Sequence, residues 1–243
     1  MEVKSLEEYY NDDYLLLADV MTPPDRTAWE ITYVTRLLEI GPGAKILDLG
    51  CGYGRIAHEL ARNGAIVTAI DLVPAQIERA KRRADADRLA IDYRVGDMSR
   101  LSNLSGFDFA IMWFFSFGYG DDRKNAATLR AASSALKKGG FLLLDQYNTH
   151  VLAAENYPTL VDRGDTLVIH KPKPDLEAGR WGVERLVVRN GIIDRSGFSC
   201  RCYTPPELRA MLSTAGFREI RFVSEEANSF APDSRKLVAI AMK

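Results

Sequence analysis

From residue 44 onward, apolar residues come in short unbroken runs, each followed by a stretch in which they recur every three or four positions. "AKILDLG" and "AIVTAID" are runs of the first kind, while Ile56, Ala57, Leu60 and Ala61 share one face of the second. The alternation continues to residue 147. "AIDYRV", "FDFAIMWF" and "FLLLDQY" read as the third, fourth and fifth strands. Between them Pro74 opens a helix that carries Ile77 and Ala80. Asp121 or Asp122 caps a helix through "RKNAATLRAASSALKKGG", which Gly139 and Gly140 close. Strand and helix in turn predict a parallel sheet whose right-handed crossovers gather the helix-bound loops at the carboxyl ends of the strands.

Two segments depart from that rhythm. Residues 1–43 read as helical, with a break at Thr22-Pro23-Pro24. Residues 151–203 contain "GVERLVVR" and "IIDRSGFSCRCY" on either side of Asn190-Gly191, a strong short-range signal for a β-hairpin. Phe198, Cys200 and Cys202 then share one strand face, which points to packing rather than to a metal site. The chain closes with a helix in "TPPELRAMLSTAGF" and the strands "EIRFV" and "KLVAIAM".

Composition removes several classes. A chain of 243 residues is long enough for one large domain, or one with an insertion, without a disulfide or metal staple. The net charge is −1, and the one dense basic cluster, Lys81-Arg82-Arg83, lies beside Asp85 and Asp87 as a solvated helix face. Nucleic acid is therefore not an expected partner. The N-terminus is acidic without a leader-like apolar core, and the longest apolar run, Phe109 to Phe115, is too short to span a bilayer. Three cysteines without zinc-like partners give no metal site. The expected location is the cytoplasm, away from membranes.

The candidate chemistry lies in "ILDLGCGYGRIAHELA", where a strand runs into three glycines and straight on into a helix. Glycines at such a corner bring a ligand against the backbone at a helix N-terminus. Gly52-Tyr53-Gly54-Arg55-Ile56-Ala57 also satisfies the Ala-ending dinucleotide spacing, and Asp71, ending the second strand, suits ribose hydroxyls in either case. Asp48 discriminates between the two. A carboxylate there opposes a pyrophosphate but suits a cationic amino-acid end, and at about 4 Å the difference in sign is worth ~4 kcal/mol each way at an effective dielectric of 20. S-adenosylmethionine carries a sulfonium and an ammonium and no phosphate. Asp97 in "VGDM", with Met98 beside it, then faces adenine from the end of the third strand.

"ILDLGCGYG", "AIDLVPAQIERAKRRA", "VGDM" and "LKKGGFLLLD" resemble, in order and spacing, the class I S-adenosylmethionine-dependent methyltransferases, and "SFGYG" after the fourth strand resembles their small-molecule branch. The resemblance covers residues 44–147, and the terminal helix and strands fit its close. It implies an α/β, doubly wound, Rossmann-like sheet of seven strands, mostly parallel, with the last strand antiparallel. The core is then 44–150 with 204–243, preceded by a helical cap over 1–43 and interrupted by a β-hairpin lid or homodimerisation segment over 151–203.

It also implies roles. Gly50, Cys51, Gly52 and Gly54 line the methionine portion beside Asp48, and Asp71 holds the ribose. Leu72 and Val73 flank adenine, with Asp97 and Met98 completing its pocket. Backbone near Met112 and Trp113 meets the sulfonium side, and Arg26 is a candidate for the cofactor carboxylate. For a small-molecule acceptor the candidates are Tyr9, Tyr14, Phe117, Tyr119 and Tyr147, with Tyr10 also near the mouth. His150, Tyr14 and Tyr119 are the candidates for handling a proton. One departure stands out: "MWFFSF" has no acid or amide where many relatives carry one at the end of the fourth strand.

The expected reaction is methyl transfer to nitrogen or oxygen of a small molecule, by in-line displacement governed by proximity and orientation. An NAD-dependent oxidoreductase is the first rival, through the glycine spacing and Asp71. A nucleic-acid methyltransferase is the second, and the chain lacks the Pro-Pro-aromatic motif that such enzymes carry after the fourth strand.

Overall fold

The computed structural model describes residues 6–152, 154, 157–225 and 229–243. Its larger sheet has seven strands: β1 (Lys45–Leu49), β2 (Ile66–Asp71), β3 (Asp92–Val95), β4 (Phe107–Met112), β5 (Leu136–Tyr147), β10 (Arg218–Val223) and β11 (Lys236–Met242). They lie in the order β10-β11-β5-β4-β1-β2-β3. Pairings among β1 to β5 are parallel, and β11 runs antiparallel to both neighbours. The reason is visible in burial: Ile46, Leu47 and Leu49 of β1, and Leu142, Leu143 and Leu144 of β5, are covered on both faces, so these strands are continuous apolar runs. The expected architecture is the one observed.

Four helices flank this sheet: α4 (Arg55–Arg62), α5 (Pro74–Ala86), α6 (Asp122–Ala135) and α7 (Pro205–Thr214). Asp121 caps α6 by accepting from the Lys124 amide at 2.7 Å. That helix stops four residues before the glycines expected to close it, because Leu136 already pairs with Phe107 of β4. Gly139 and Gly140 instead carry the start of β5 through a break in register, and a Cβ at 140 would stand 2.9 Å from the Asp108 carbonyl.

Ahead of the sheet come α1 (Leu6–Tyr9), α2 (Asp12–Met21) and α3 (Pro24–Leu38). Asn11 caps α2, and the Thr22-Pro23 break separates it from α3, whose Pro24 occupies the first turn. Residues 151–203 form more than one hairpin. They hold a four-stranded antiparallel sheet of β6 (Thr159–Asp162), β7 (Thr166–Pro172), β8 (Arg180–Arg189) and β9 (Ile192–Arg201). Asn190 and Gly191, with φ of 52° and 75°, make the tight turn between β8 and β9. Phe198 and Cys200 of β9 and Trp181 and Val183 of β8 bury one face of this sheet against Tyr9 and Phe115.

The two sheets meet through backbone. The Arg201 amide donates to the Gly118 carbonyl at 2.7 Å, and Gly118 has a φ of 101° with the Arg201 carbonyl filling the space a Cβ would need. Gly118→Ala should therefore cost about 1–3 kcal/mol in urea unfolding. Gly41→Ala, which meets nothing within 4 Å, should change stability by less than about 0.5 kcal/mol. Equal stability of the two variants would show that the sheets do not dock at this point.

Candidate active site

The carboxyl ends of β1, β2 and β4 converge on the glycine loop. The amides of Gly50 and Cys51 both donate to the Ile70 carbonyl, at 2.8 and 3.1 Å, which ties the loop to the end of β2. Position 50 has a φ of 76°, and a Cβ there would stand 2.5 Å from that of Ser116, just beyond β4. Gly54, with a φ of 80°, starts α4, and the Tyr93 hydroxyl fills the space beside it. The His58 ring lies 2.7 Å from the Gly54 carbonyl and 3.0 Å from that hydroxyl, so the loop is packed from behind.

Above the loop opens a cavity of ≈ 1250 Å³, counted to its open mouth. Its floor carries three acids in three different states. Asp97 is shared between Ser99, at 2.9 Å to the amide and 2.7 Å to the hydroxyl, and Lys124 at 2.9 Å. Burial opposes its ionisation, but these partners outweigh burial and hold its pKa below the usual value. Asp71 accepts from the Gly52 amide at 2.8 Å and the Val73 amide at 2.9 Å, and burial still raises its pKa.

Asp48 is the outlier. It is 3% exposed, and its Oδ2 has no hydrogen-bond partner. Burial, then the neighbouring Asp71 carboxylate, push its pKa from 3.8 to about 7, against the pull of Arg55. A buried carboxylate oxygen without a partner calls for a cation or donor in the cavity. The Gly52 amide, which a pyrophosphate would need, is already given to Asp71. The donor set thus fits S-adenosylmethionine and not a dinucleotide.

The walls are aromatic. Tyr10 and Tyr14 come from the N-terminal segment, Trp113 and Phe114 from the end of β4, and Tyr119 from the loop after it. The hydroxyls of Tyr10 and Tyr119 are hydrogen-bonded to each other, and burial raises the pKa of Tyr10, Tyr14 and Tyr119. All three are therefore neutral phenols. Gln76 donates from Nε2 to the Tyr10 carbonyl at 2.6 Å, while its own buried Oε1 is unpartnered at the cavity wall.

Behind Trp113 and Phe114 lies a buried ionic cluster. Lys236 sits 3.0 Å from both Asp145 and Glu225, and Glu30 sits 2.5 Å from Arg55. Burial works against the Lys236 ammonium, but Asp145, Glu225 and Glu30 outweigh it and raise its pKa.

Most residues expected around the cofactor line this cavity: Asp48, Gly50, Cys51 and Gly52 on the loop, Asp71, Leu72 and Val73 after β2, and Asp97, Met98 and Trp113 beyond. Gly54 lies just beneath it. Of the two backbone positions expected on the sulfonium side, Trp113 lines the cavity and Met112 does not, its side chain lying in the core with Leu129 and Leu144. Arg26 is corrected as well: its guanidinium pairs with Glu30 at 3.2 Å and Glu225 at 3.0 Å, outside the cavity. The arginine that lines the cavity is Arg55, directly after the glycines, which the sequence showed only within the dinucleotide spacing.

Of the acceptor candidates, Tyr14 and Tyr119 line the cavity and three others do not. Tyr9 is buried with its hydroxyl 2.9 Å from His170, beneath the Arg185 guanidinium. Tyr147 stacks on Phe115 at 3.8 Å. Phe117 packs in the core beside Tyr203. His150 is exposed, bonded to Asn148 at 3.1 Å and away from the cavity, so it has no access to a substrate there. Among the described residues no group of acids, histidines and cysteines is arranged to hold a metal, and no helix is long and apolar enough to cross a membrane.

Residues 46–140 match the family described as a methyltransferase domain. The ubiquinone biosynthesis O-methyltransferase of Xanthomonas oryzae pv. oryzae (strain PXO99A) is 32% identical over 193 residues, covering 76% of this chain and 76% of that protein. A solved S-adenosylmethionine-dependent methyltransferase from Clostridium acetobutylicum ATCC 824 shares the fold with a TM-score of 0.78 at 15% identity, over 95% of this chain and 99% of that one. The S-adenosylmethionine-bound CalS10, an amino pentose methyltransferase from Micromonospora echinaspora, has a TM-score of 0.68 at 20% identity over 100% of both chains. The chain belongs to the class I S-adenosylmethionine-dependent methyltransferases. Its cofactor is S-adenosylmethionine and it is an enzyme of methyl transfer.

The state of Asp48 has a measurable consequence in the protein without ligand. Between about pH 4 and pH 7 the folded protein keeps a proton on Asp48 that the unfolded chain releases, so its contribution falls as pH rises through that window. The slope is about 1.4 kcal/mol per pH unit at most. Asp48→Asn should flatten this part of the curve, so that the variant gains on the wild type between about pH 4 and pH 7 in urea unfolding. A variant that tracks the wild type across that range would mean Asp48 is solvated.

Proposed function

We propose that this methyltransferase acts in the cytoplasm on an amine nitrogen of a small molecule, with cofactor and acceptor side by side in the cavity above the glycine loop. The observation that carries the cofactor half is the buried, unpartnered Asp48 Oδ2. When bound, S-adenosylmethionine supplies an electrophilic methyl group on a sulfonium. Asp48 and the Gly50–Gly52 backbone hold the cationic amino-acid end, and Arg55 replaces Arg26 as the candidate for its carboxylate. Asp71 accepts from the ribose hydroxyls, each of its oxygens still having a lone pair beyond the amide it already serves. Leu72, Val73, Asp97 and Met98 bound the adenine.

The acceptor half has aromatic walls and polar tips. Tyr10, Tyr14 and Tyr119 are neutral phenols, able to orient a nucleophile by hydrogen bonds but not to remove a proton from an alcohol. An amine presented with a free lone pair needs only alignment and exclusion of water. The helical segment before residue 44 and the sheet over 151–203 serve that exclusion, the first through Tyr10 and Tyr14 and the second by backing Tyr119 with Phe198 at 5.6 Å. The amino pentose activity of CalS10 is in keeping with nitrogen as acceptor. Oxygen is the second reading, favoured by the O-methyltransferase at 32% identity. A homodimer through the 151–203 sheet belongs to the proposal too, supported by the exposed Leu160, Ile192 and Ile193, and sedimentation velocity showing a monomer would remove it.

Transfer from methyl-labelled S-adenosylmethionine to a panel of amino sugars, aromatic amines, catechols and phenols tests the acceptor. Label on amines is expected, and label confined to phenolic oxygen would put the second reading in its place. Asp71→Ala should weaken S-adenosylhomocysteine binding more than about tenfold through loss of charge-assisted hydrogen bonds. Unchanged affinity would remove Asp71 from the ribose.

A further inference from the structure

The turn after β4 holds two consecutive bulky residues in the left-handed region, Phe114 with a φ of 64° and Phe115 with a φ of 63°. Such a pair persists only where its surroundings leave it no alternative. Three contacts supply that constraint. The Phe115 amide donates to Asp145 Oδ1 at 2.8 Å, the Ser116 hydroxyl donates to the Trp113 carbonyl at 3.1 Å, and Ser116 presses on Gly50 of the glycine loop.

Asp145, near the end of β5, is 0% exposed, and its other oxygen lies 3.0 Å from the ammonium of Lys236 on β11. Lys236 is 1% exposed, and its ammonium sits 4.7 Å from the Trp113 ring centre, 5.1 Å from that of Phe115 and 5.6 Å from that of Phe114. The rings of the turn thus enclose the cation that anchors the carboxylate that holds the turn. The far end of the cluster reaches the same place: Arg55, paired with Glu30, lies 5.2 Å over the Phe114 ring. Three acids (Glu30, Asp145 and Glu225) face three bases (Arg26, Arg55 and Lys236), so the cluster is formally neutral. Buried ion pairs seldom outdo apolar groups of the same volume in stability. A geometric task accounts for this one better than stability does.

We propose that Asp145, anchored by Lys236, is a positioning residue that fixes the Trp113–Ser116 turn through the Phe115 amide and so sets the cavity wall opposite the glycine loop. Trp113 and Phe114 line the cavity from this turn, which makes Asp145 part of its shape without touching its contents. The inference rests on reading that cavity as the cofactor site.

Two double variants separate the hold on the amide from the charge. Asp145→Asn with Lys236→Met and Asp145→Leu with Lys236→Met both remove one formal charge of each sign, and only the first keeps an acceptor for Phe115. S-adenosylhomocysteine is titrated calorimetrically into each, and exchange of the Phe115 amide is followed by NMR without ligand. The Asn variant should bind within about threefold of wild type with the amide protected. The Leu variant should lose about tenfold or more, because binding must then also re-form the turn, and its amide should exchange freely. Equal affinity and equal protection in the two would overturn the proposal. Should the Leu variant fail to fold, the wild type decides, since a Phe115 amide exchanging at the rate of an unbonded one refutes the hold. A wild type that binds no S-adenosylhomocysteine while its amide is protected would refute the cofactor-site reading, with the exchange data still judging Asp145.

Discussion

The cavity depends on the contact between Gly50 and Ser116, where the loop after β1 meets the turn after β4 with no room for a Cβ. β1 and β4 are neighbours in the sheet, so their loops leave it side by side. Both must bend away within two residues for a cavity to open between them. The first does so with glycines at positive φ, which is cheap. The second does so with two phenylalanines in the left-handed region, each at a cost of about 1–2 kcal/mol. That asymmetry explains why a neutral, mostly buried ionic cluster stands behind β4.

The same geometry sets the electrostatics. With the β1 and β2 loops tied together through Ile70, the Asp71 carboxylate is close enough to disfavour ionisation of Asp48. Asp71 is compensated by backbone amides and Asp97 by Ser99 and Lys124, which leaves Asp48 as the acid that a ligand must complete. Such a site selects for positive charge. An anionic ligand would hold Asp48 in its neutral form, forfeiting the ion pair, and would find the Gly52 amide already occupied.

The glycine loop and its three acids were legible in the sequence because each lies at or just past the end of a strand, and strand ends in a parallel sheet are brought together by topology alone. The mostly parallel seven-stranded sheet with its antiparallel last strand and the tight turn at Asn190-Gly191 were legible for the same local reasons. Arg26 was misplaced because nothing local reveals its pairing with Glu225, far along the chain. Tyr9, Phe117 and Tyr147 were expected at the mouth as acceptor contacts, yet the sheet over 151–203 and the fold's own core cover them. Seeing that required knowing that this segment is four strands rather than one hairpin. The Asp145–Lys236 pair was invisible for a similar reason, since each residue sits in a strand that reads as continuous core.

The central claim is that Asp48 is protonated near neutrality in the free protein and ionises against the ammonium group of a bound ligand. The most direct measurement is calorimetric titration with S-adenosylhomocysteine at pH 6.5 in two buffers of different ionisation enthalpy. Binding accompanied by release of a substantial fraction of a proton, absent in Asp48→Asn, is the predicted result. Binding with no proton released, or equal release in the variant, would contradict it.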